Sequence, residues 1–207
     1  MIKLLIISGS PVKDSSTDTL LAEACKKLRH ELGEATSVRA DFIKLNDLKY
    51  IPCQACGKAP TPDYCFFTDD MTKLYPLVAE CDCLLFGSPV YFDSVSGQAK
   101  MFIDRCNCFR PYDFDNKDPD HDFIKLLNRK RPGGMVLVGG DAIGIEGARR
   151  TIAGFFKWIE VTNEGVVTYS SSDDRKIGTV TTDESAMSAA RALGAKLAEI
   201  LRGQHER

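Results

Sequence analysis

The chain opens on an apolar run, Ile2 to Ile7, closed by Ser8-Gly9-Ser10-Pro11. The run is too short for a buried helix, and its branched residues suit a strand covered on both faces, so it predicts a central parallel strand. Beyond a polar loop, Leu20, Leu21, Ala24, Cys25, Leu28 and Leu32 recur at helical spacing, with Gly33 where a helix C-terminal glycine belongs. Ser37 to Leu45 alternates as a second strand. Asn46 to Phe67 is a long irregular segment rich in Cys and Pro, and loops of this length are usually functional. Thr68-Asp69-Asp70-Met71 reads as a capped helix start that runs through Leu74, Leu77 and Val78 to Glu80, and Cys81 to Gly87 as a third buried strand.

Helical spacing returns, more weakly, from Ser96 to Phe109 through Ala99, Phe102, Ile103 and Cys106. Arg110 to Arg131 is polar and Asp-rich, which predicts a surface insertion with a short helix over Phe123 to Leu127. Gly134 to Val138 is a further strand, Glu146 to Ile159 a helix, and Val161 to Tyr169 a fifth strand. Ser170 to Asp174 reads as an exposed loop before an Ala-rich helix from Glu184 to Leu201. Five strands separated by helices predict an open parallel α/β sheet whose ligand sits in the crevice at the carboxyl ends of the strands. The count is compatible with the strand order 2-1-3-4-5.

Length and charge narrow the picture. The 207 residues suit one domain, 1–207, carrying a Cys-rich loop at 46–67 and an insertion at 110–131. Twenty-seven basic against 29 acidic residues, with no long run of one sign, argue against a nucleic-acid partner. No stretch is long enough to cross a bilayer and no signal-cleavage pattern is present, so the expected location is the cytoplasm. In that compartment the eight cysteines point to thiols, a metal site or redox chemistry rather than to disulfides.

Three loops follow predicted strands. Ser8 to Thr17 offers a glycine, several hydroxyls and a helix N-terminus, which suits a phosphate; the Gly-Lys-Ser/Thr ending of a P-loop and the three-glycine dinucleotide pattern are both missing. Gly87 to Gly97 places Pro89, Val90, Tyr91 and Phe92 at the same edge, where a flat heteroaromatic ring would find apolar contact. Gly139-Gly140-Asp141 would let backbone approach the edge of such a ring, and tight turning explains these glycines equally well.

Gly9-Ser10-Pro11, Ser16-Thr17, Cys53-x-x-Cys56, Asp69-Asp70-Met71, Gly87 to Phe92 and Lys100 to Arg105 together resemble the NADPH-dependent FMN reductases, and within them the iron–sulfur flavoprotein branch. The resemblance implies a flavodoxin-like three-layer sandwich with a five-stranded parallel sheet. It implies an FMN phosphate held by Ser10, Ser15, Ser16 and Thr17, a ring lined by Pro89, Val90, Tyr91 and Phe92, and a far edge closed by Gly139, Gly140 and Asp141. The implied activity is electron transfer from NADPH or NADH through FMN to a quinone, a flavin or another small acceptor, in a homodimer or homotetramer. A non-enzymatic FMN electron carrier is the alternative, and no residue is assigned a catalytic role.

The chain departs from that pattern in places. Val12 stands where relatives carry a basic residue, which Lys13 could replace, and Ser16 stands where they carry Asn. In the cysteine segment, cluster-bearing relatives have a third cysteine near Ala59; Cys53, Cys56 and Cys65 remain, with Cys106 or Cys108 able in principle to complete a set of four. The expectation is therefore reduced thiols, with no metal site and no 4Fe–4S cluster. Cys81 and Cys83 read as core residues of one strand, Trp158 as core or interface, Asp104-Arg105 as a surface pair or a subunit or nucleotide contact, and Arg129-Lys130-Arg131 as a solvated turn. His30, His121 and His205 show no ligand spacing.

Overall fold

The computed structural model describes residues 1–60, 62–115, 122–140, 144–170 and 177–205. Five strands run parallel: β1 (Ile2–Ser8), β2 (Val38–Lys44), β3 (Cys83–Tyr91), β5 (Arg131–Gly139) and β6 (Val161–Ser170). Between them in sequence comes β4 (Ser94–Val95), a two-residue strand antiparallel to the end of β3. The sheet order is β2-β1-β3-β5-β6. Apart from the β4 hairpin, this is the expected 2-1-3-4-5 order, and the chain is an α/β protein of flavodoxin-like type.

Alternation along the strands sorts the core into two layers. Ile2, Leu4 and Ile6 of β1, with Cys83 and Leu85 of β3, point toward α1 (Ser16–Leu32) and α5 (Glu184–His205). Leu5, Ile7, Leu84, Phe86, Met135 and Leu137 point the other way. There they meet α2 (Leu74–Glu80), α3 (Gly97–Arg105) and α4 (Ile145–Trp158), where Phe86, Phe102 and Phe155 lie with ring centroids 5.5–6.0 Å apart. α1 begins with a capping box: the Ser15 hydroxyl accepts from the Asp18 amide and the Asp18 carboxylate accepts from the Ser15 amide, so two otherwise orphaned donors are satisfied. It ends at Gly33, with φ +79°. Among the described residues no helix is long and apolar enough to cross a membrane.

Several local expectations are corrected. α2 starts at Leu74, not at 68, because the carboxylates that resemble a cap are used elsewhere: Asp69 accepts from the Ile51 and Met71 amides and Asp70 from the Lys49 amide, which turns 69–73 back against the segment after β2. No helix forms over 123–127. Phe123 instead bridges Tyr112 in antiparallel fashion, with ring centroids 4.7 Å apart, and this pairing outweighs the weak helical spacing. Cys81 caps α2 and lies outside β3.

Of the basic cluster, Arg129 and Lys130 are exposed, but Arg131 is not solvated. Arg131 is 2% exposed and donates to carbonyls at the C-termini of both α2 (Val78, Ala79) and α4 (Ile159), while Arg129 pairs with Asp82 at 2.7 Å. Buried without a carboxylate partner among the described residues, the Arg131 charge is matched by the negative ends of two helices.

Candidate functional site

The loops that close one end of the sheet meet around a cavity of about 360 Å³, at the carboxyl ends of β1, β3 and β5. Its first wall is the start of α1, where Ser10, Ser15, Ser16 and Thr17 all line the space. The first helical amides have no intrahelical acceptor and, with the macrodipole, favour an anion. Ser15 spends its hydroxyl on the cap, whereas the hydroxyls of Ser16 and Thr17, both on buried residues, have no partner among the described residues. The Ser10 hydroxyl accepts from the Val12 amide at 3.2 Å and shapes the turn into the helix. Asp18 does not repel an anion here, because Lys44 pairs with it and Ser8 donates to it. Lys13 lies on a neighbouring groove with Asp14 and Lys44 rather than in this cavity.

The second wall is the end of β3, Pro89, Val90 and Tyr91, and the third is Gly139 and Gly140 at the end of β5. Sequence reasoning missed Ile177, Gly178 and Thr179, which close the cavity from beyond β6. The strand-end rule applied to the fifth strand, together with Gly178 at φ +69°, is the signal that could have found them. Phe92 does not join the lining; it is fully exposed at the tip of the β3–β4 hairpin, where Phe92 and Asp93 both have positive φ, 51° and 56°. Asp141 lies outside the described residues, as does His121.

Hydrogen bonds beneath the cavity fix its walls to one another. The Gly9 amide donates to the Gly87 carbonyl at 2.8 Å, and the buried Ser96 hydroxyl donates to the Gly9 carbonyl at 2.6 Å while capping α3. The Ser96 amide in turn donates to the Ser88 hydroxyl at 3.0 Å. A Cβ on Gly9 would stand 2.7 Å from the Ala99 Cβ, so only glycine lets β1 approach α3 this closely.

A second cavity, of about 230 Å³, lies at the other end of α3. Cys53, Cys56 and Cys65 line it from the long loop and Cys108 from the single turn of 3₁₀ helix after α3, with Trp158 and Arg110 stacked at 5.2 Å on its wall. Arg105, expected at the surface, is 2% exposed: it grips Asp69 at 2.6 and 3.1 Å and donates to the Tyr75 hydroxyl, the Ile51 carbonyl and, at 3.7 Å, the Cys65 sulfur. Burial alone would raise the Asp69 carboxyl, but hydrogen bonds from Arg105 and from two amides overcome it and hold the group below its ordinary value. Burial pushes the thiols of Cys106 and Cys108 up, and neighbouring sulfurs add to the effect. Among the described residues no three His, Cys, Asp or Glu side chains are placed to hold a single metal ion.

A parallel sheet in this order, with a hydroxyl-lined helix N-terminus and an apolar wall at its carboxyl edge, defines a nucleotide-type cofactor protein of the flavodoxin class. The chain belongs to the NADPH-dependent FMN reductase family, whose model matches residues 2–171, and is thereby an FMN-dependent oxidoreductase. It is 29% identical to an iron–sulfur flavoprotein of Methanocaldococcus jannaschii over 208 residues, covering 97% of each chain. It is 32% identical to an iron–sulfur flavoprotein of Archaeoglobus fulgidus over 138 residues, covering 67% of this chain and 62% of that one. Among solved structures, RosB with bound 8-demethyl-8-formylriboflavin-5'-phosphate shares the fold, with a TM-score of 0.71 at 13% identity over 100% of this chain and 81% of that one.

Proposed function

We propose that the 360 Å³ cavity holds FMN, and that the protein takes electrons from NADPH or NADH and passes them to a small acceptor such as a quinone or a free flavin. The observation that carries this reading is the single space joining the α1 N-terminus to Pro89–Tyr91 and to Gly139–Gly140. It has an anion seat at one end and an apolar slot at the other, and its volume is that of a small-molecule site. Bound FMN would supply the hydride-accepting chemistry, leaving the protein to orient the ring, exclude water and keep one face open.

In this reading the Ser16 and Thr17 amides and hydroxyls donate to the phosphate, and Ser10 with the Ser15 cap holds the loop in register. Val90 and Pro89 press on the ring, and Tyr91, about half exposed, forms the mouth through which donor and acceptor reach it. Gly139 and Gly140 bring backbone close to the ring edge. The test is the visible spectrum of protein purified under anaerobic conditions, before and after NADPH. Flavin bands that bleach with NADPH are expected; protein that takes up no FMN overturns the reading.

A second reading, an electron carrier reduced by another protein, is favoured by the thiol-lined cavity and by the names of the two archaeal relatives. Flavin bands that resist both NADPH and NADH yet bleach with dithionite would select it.

A further inference from the structure

We propose that two copies of this chain pair antiparallel through their β2 edges, across a two-fold axis at Ala40, so that the two sheets become one. β2 stands at the edge of the sheet, and its ladder to β1 occupies only every second residue. The Ile2 amide donates to the Ser37 carbonyl at 2.8 Å while Ile2 sits opposite Val38, and this fixes the phase. The amides and carbonyls of Arg39, Asp41 and Ile43 point to β1, and those of Val38, Ala40 and Phe42 point outward. No partner for these outward groups is found among the described residues. Such a row is a template for another strand, which edges usually blunt with a proline, a bulge or a lysine. β2 has neither proline nor glycine and keeps an unbroken register from Val38 to Lys44. Its one lysine, Lys44, comes last and is held by Asp18. The opposite edge, β6, is protected: its register to β5 slips between Gly133 and Met135, and Lys196 covers the Glu164 carbonyl.

The side chains select a second copy of the chain as the occupant of this edge. An axis normal to the sheet at Ala40 sets Ala40 against itself, Val38 against the partner's Phe42, and Arg39 against the partner's Asp41, each pair occurring twice by symmetry. The outward residues then fall at hydrogen-bonded positions, and Arg39 and Asp41 at the closer positions between them, where opposite charges attract across strands. Within one chain Arg39 already grips Asp41 at 2.9 and 3.0 Å, so the joint brings together four charges of alternating sign. Val38, Ala40 and Phe42 lie on the other face, along an open groove beside α1. There Phe42, 44% exposed, covers the partner's Val38. Moving the axis to Arg39 or to Asp41 would oppose like charges, so the pairing is attractive in this register and repulsive in its two neighbours. None of Val38 to Phe42 lines the 360 Å³ cavity, so the pairing does not rest on the flavin reading.

The test is sedimentation velocity of the full chain over a concentration series, with circular dichroism to confirm that each variant folds. Arg39→Asp makes the edge wholly acidic and Asp41→Arg makes it wholly basic, so each is expected to weaken self-association about tenfold. An equal mixture of these two variants should regain the wild-type association, because the charges are again opposed across the joint. Ala40→Pro removes the central outward amide, which β1 does not use, and should give the same loss of association in a folded chain. A wild type that stays monomeric at every concentration overturns the proposal. So does undiminished association in all three variants, or a mixture of the two charge variants that associates no better than either alone.

Discussion

At the scale of single residues, the most consequential side chains are charged ones that look superficial in sequence. Arg105 follows Asp104 on an amphipathic stretch, and the i,i+4 spacing from Lys100 to Asp104 does give a surface pair at 2.8 Å. Arg105 itself turns inward and ties Asp69, Tyr75 and the Ile51 carbonyl into one knot under the cysteine loop. Removing one partner of a buried pair strands the other, so Arg105→Leu is expected to cost about 3 kcal/mol in urea unfolding, and Asp69→Asn made in addition to restore part of it. The same pair sets an acid limit. Because the Asp69 carboxyl is held below its usual 3.8, its contribution is complete above 3.8 and fades as pH falls toward the depressed value. The penalty of Asp69→Asn should therefore be full at neutral pH and shrink in unfolding curves taken below that point. Phe92 is strained in the opposite sense: a bulky side chain at φ 51° costs about 1 kcal/mol or more with nothing packed on it. Phe92→Asn should raise the melting temperature by about 2–4 °C. No gain, together with melting that depends on protein concentration, would show instead that the ring is buried between two copies of the chain.

At the scale of elements, what could be read from sequence and what could not divides along range of interaction. β1, α1 and the Gly33 stop were legible because local periodicity and a single glycine determine them. The capped start at 68 and the helix at 123–127 do not form, because Asp69 and Asp70 also accept from amides 18 and 21 residues back and Phe123 pairs across a bridge, which a window along the chain does not see. Three walls of the strand-end cavity were legible from the strand-end rule, while Ile177 to Thr179 and the convergence of Cys108 on Cys65 depend on tertiary packing alone. Packing also ranks the two glycines at the base of the cavity. A Cβ on Gly9 meets the short Ala99 side chain at 2.7 Å and a buried Ser96 oxygen at 3.1 Å, neither able to retreat. A Cβ on Gly87 meets the flexible end of Leu21 at 2.7 Å and the Thr17 methyl at 2.8 Å. Gly9→Ala is therefore expected to cost about 2–3 kcal/mol and Gly87→Ala about 1 kcal/mol by chemical denaturation, with Gly87→Ala showing the larger relative loss of FMN because it pushes Thr17.

At the scale of the whole molecule, α3 is the element common to both cavities. Its N-cap Ser96 and its Ala99 back the strand-end cavity, and its last residue, Arg105, and the turn beyond it form the floor of the thiol cavity, about 14 Å away along a nine-residue helix. Occupancy at either end should then be felt as stability of the shared sheet. A ligand that binds only the folded chain stabilises it by about 2.7 kcal/mol at a hundredfold excess over its dissociation constant, which for a chain of this length corresponds to about 5–10 °C in melting temperature. FMN is expected to give a shift of that size. Riboflavin at the same concentration should give a much smaller one, because it leaves the first amides of α1 and the Ser16 and Thr17 hydroxyls without their anion. Thr17→Val removes one of those donors without opening a cavity, so it should lower the shift produced by FMN and leave that produced by riboflavin unchanged. Equal shifts from the two flavins in the wild-type protein would mean that the start of α1 does not hold the phosphate, and would move the anion seat to another of the strand-end loops.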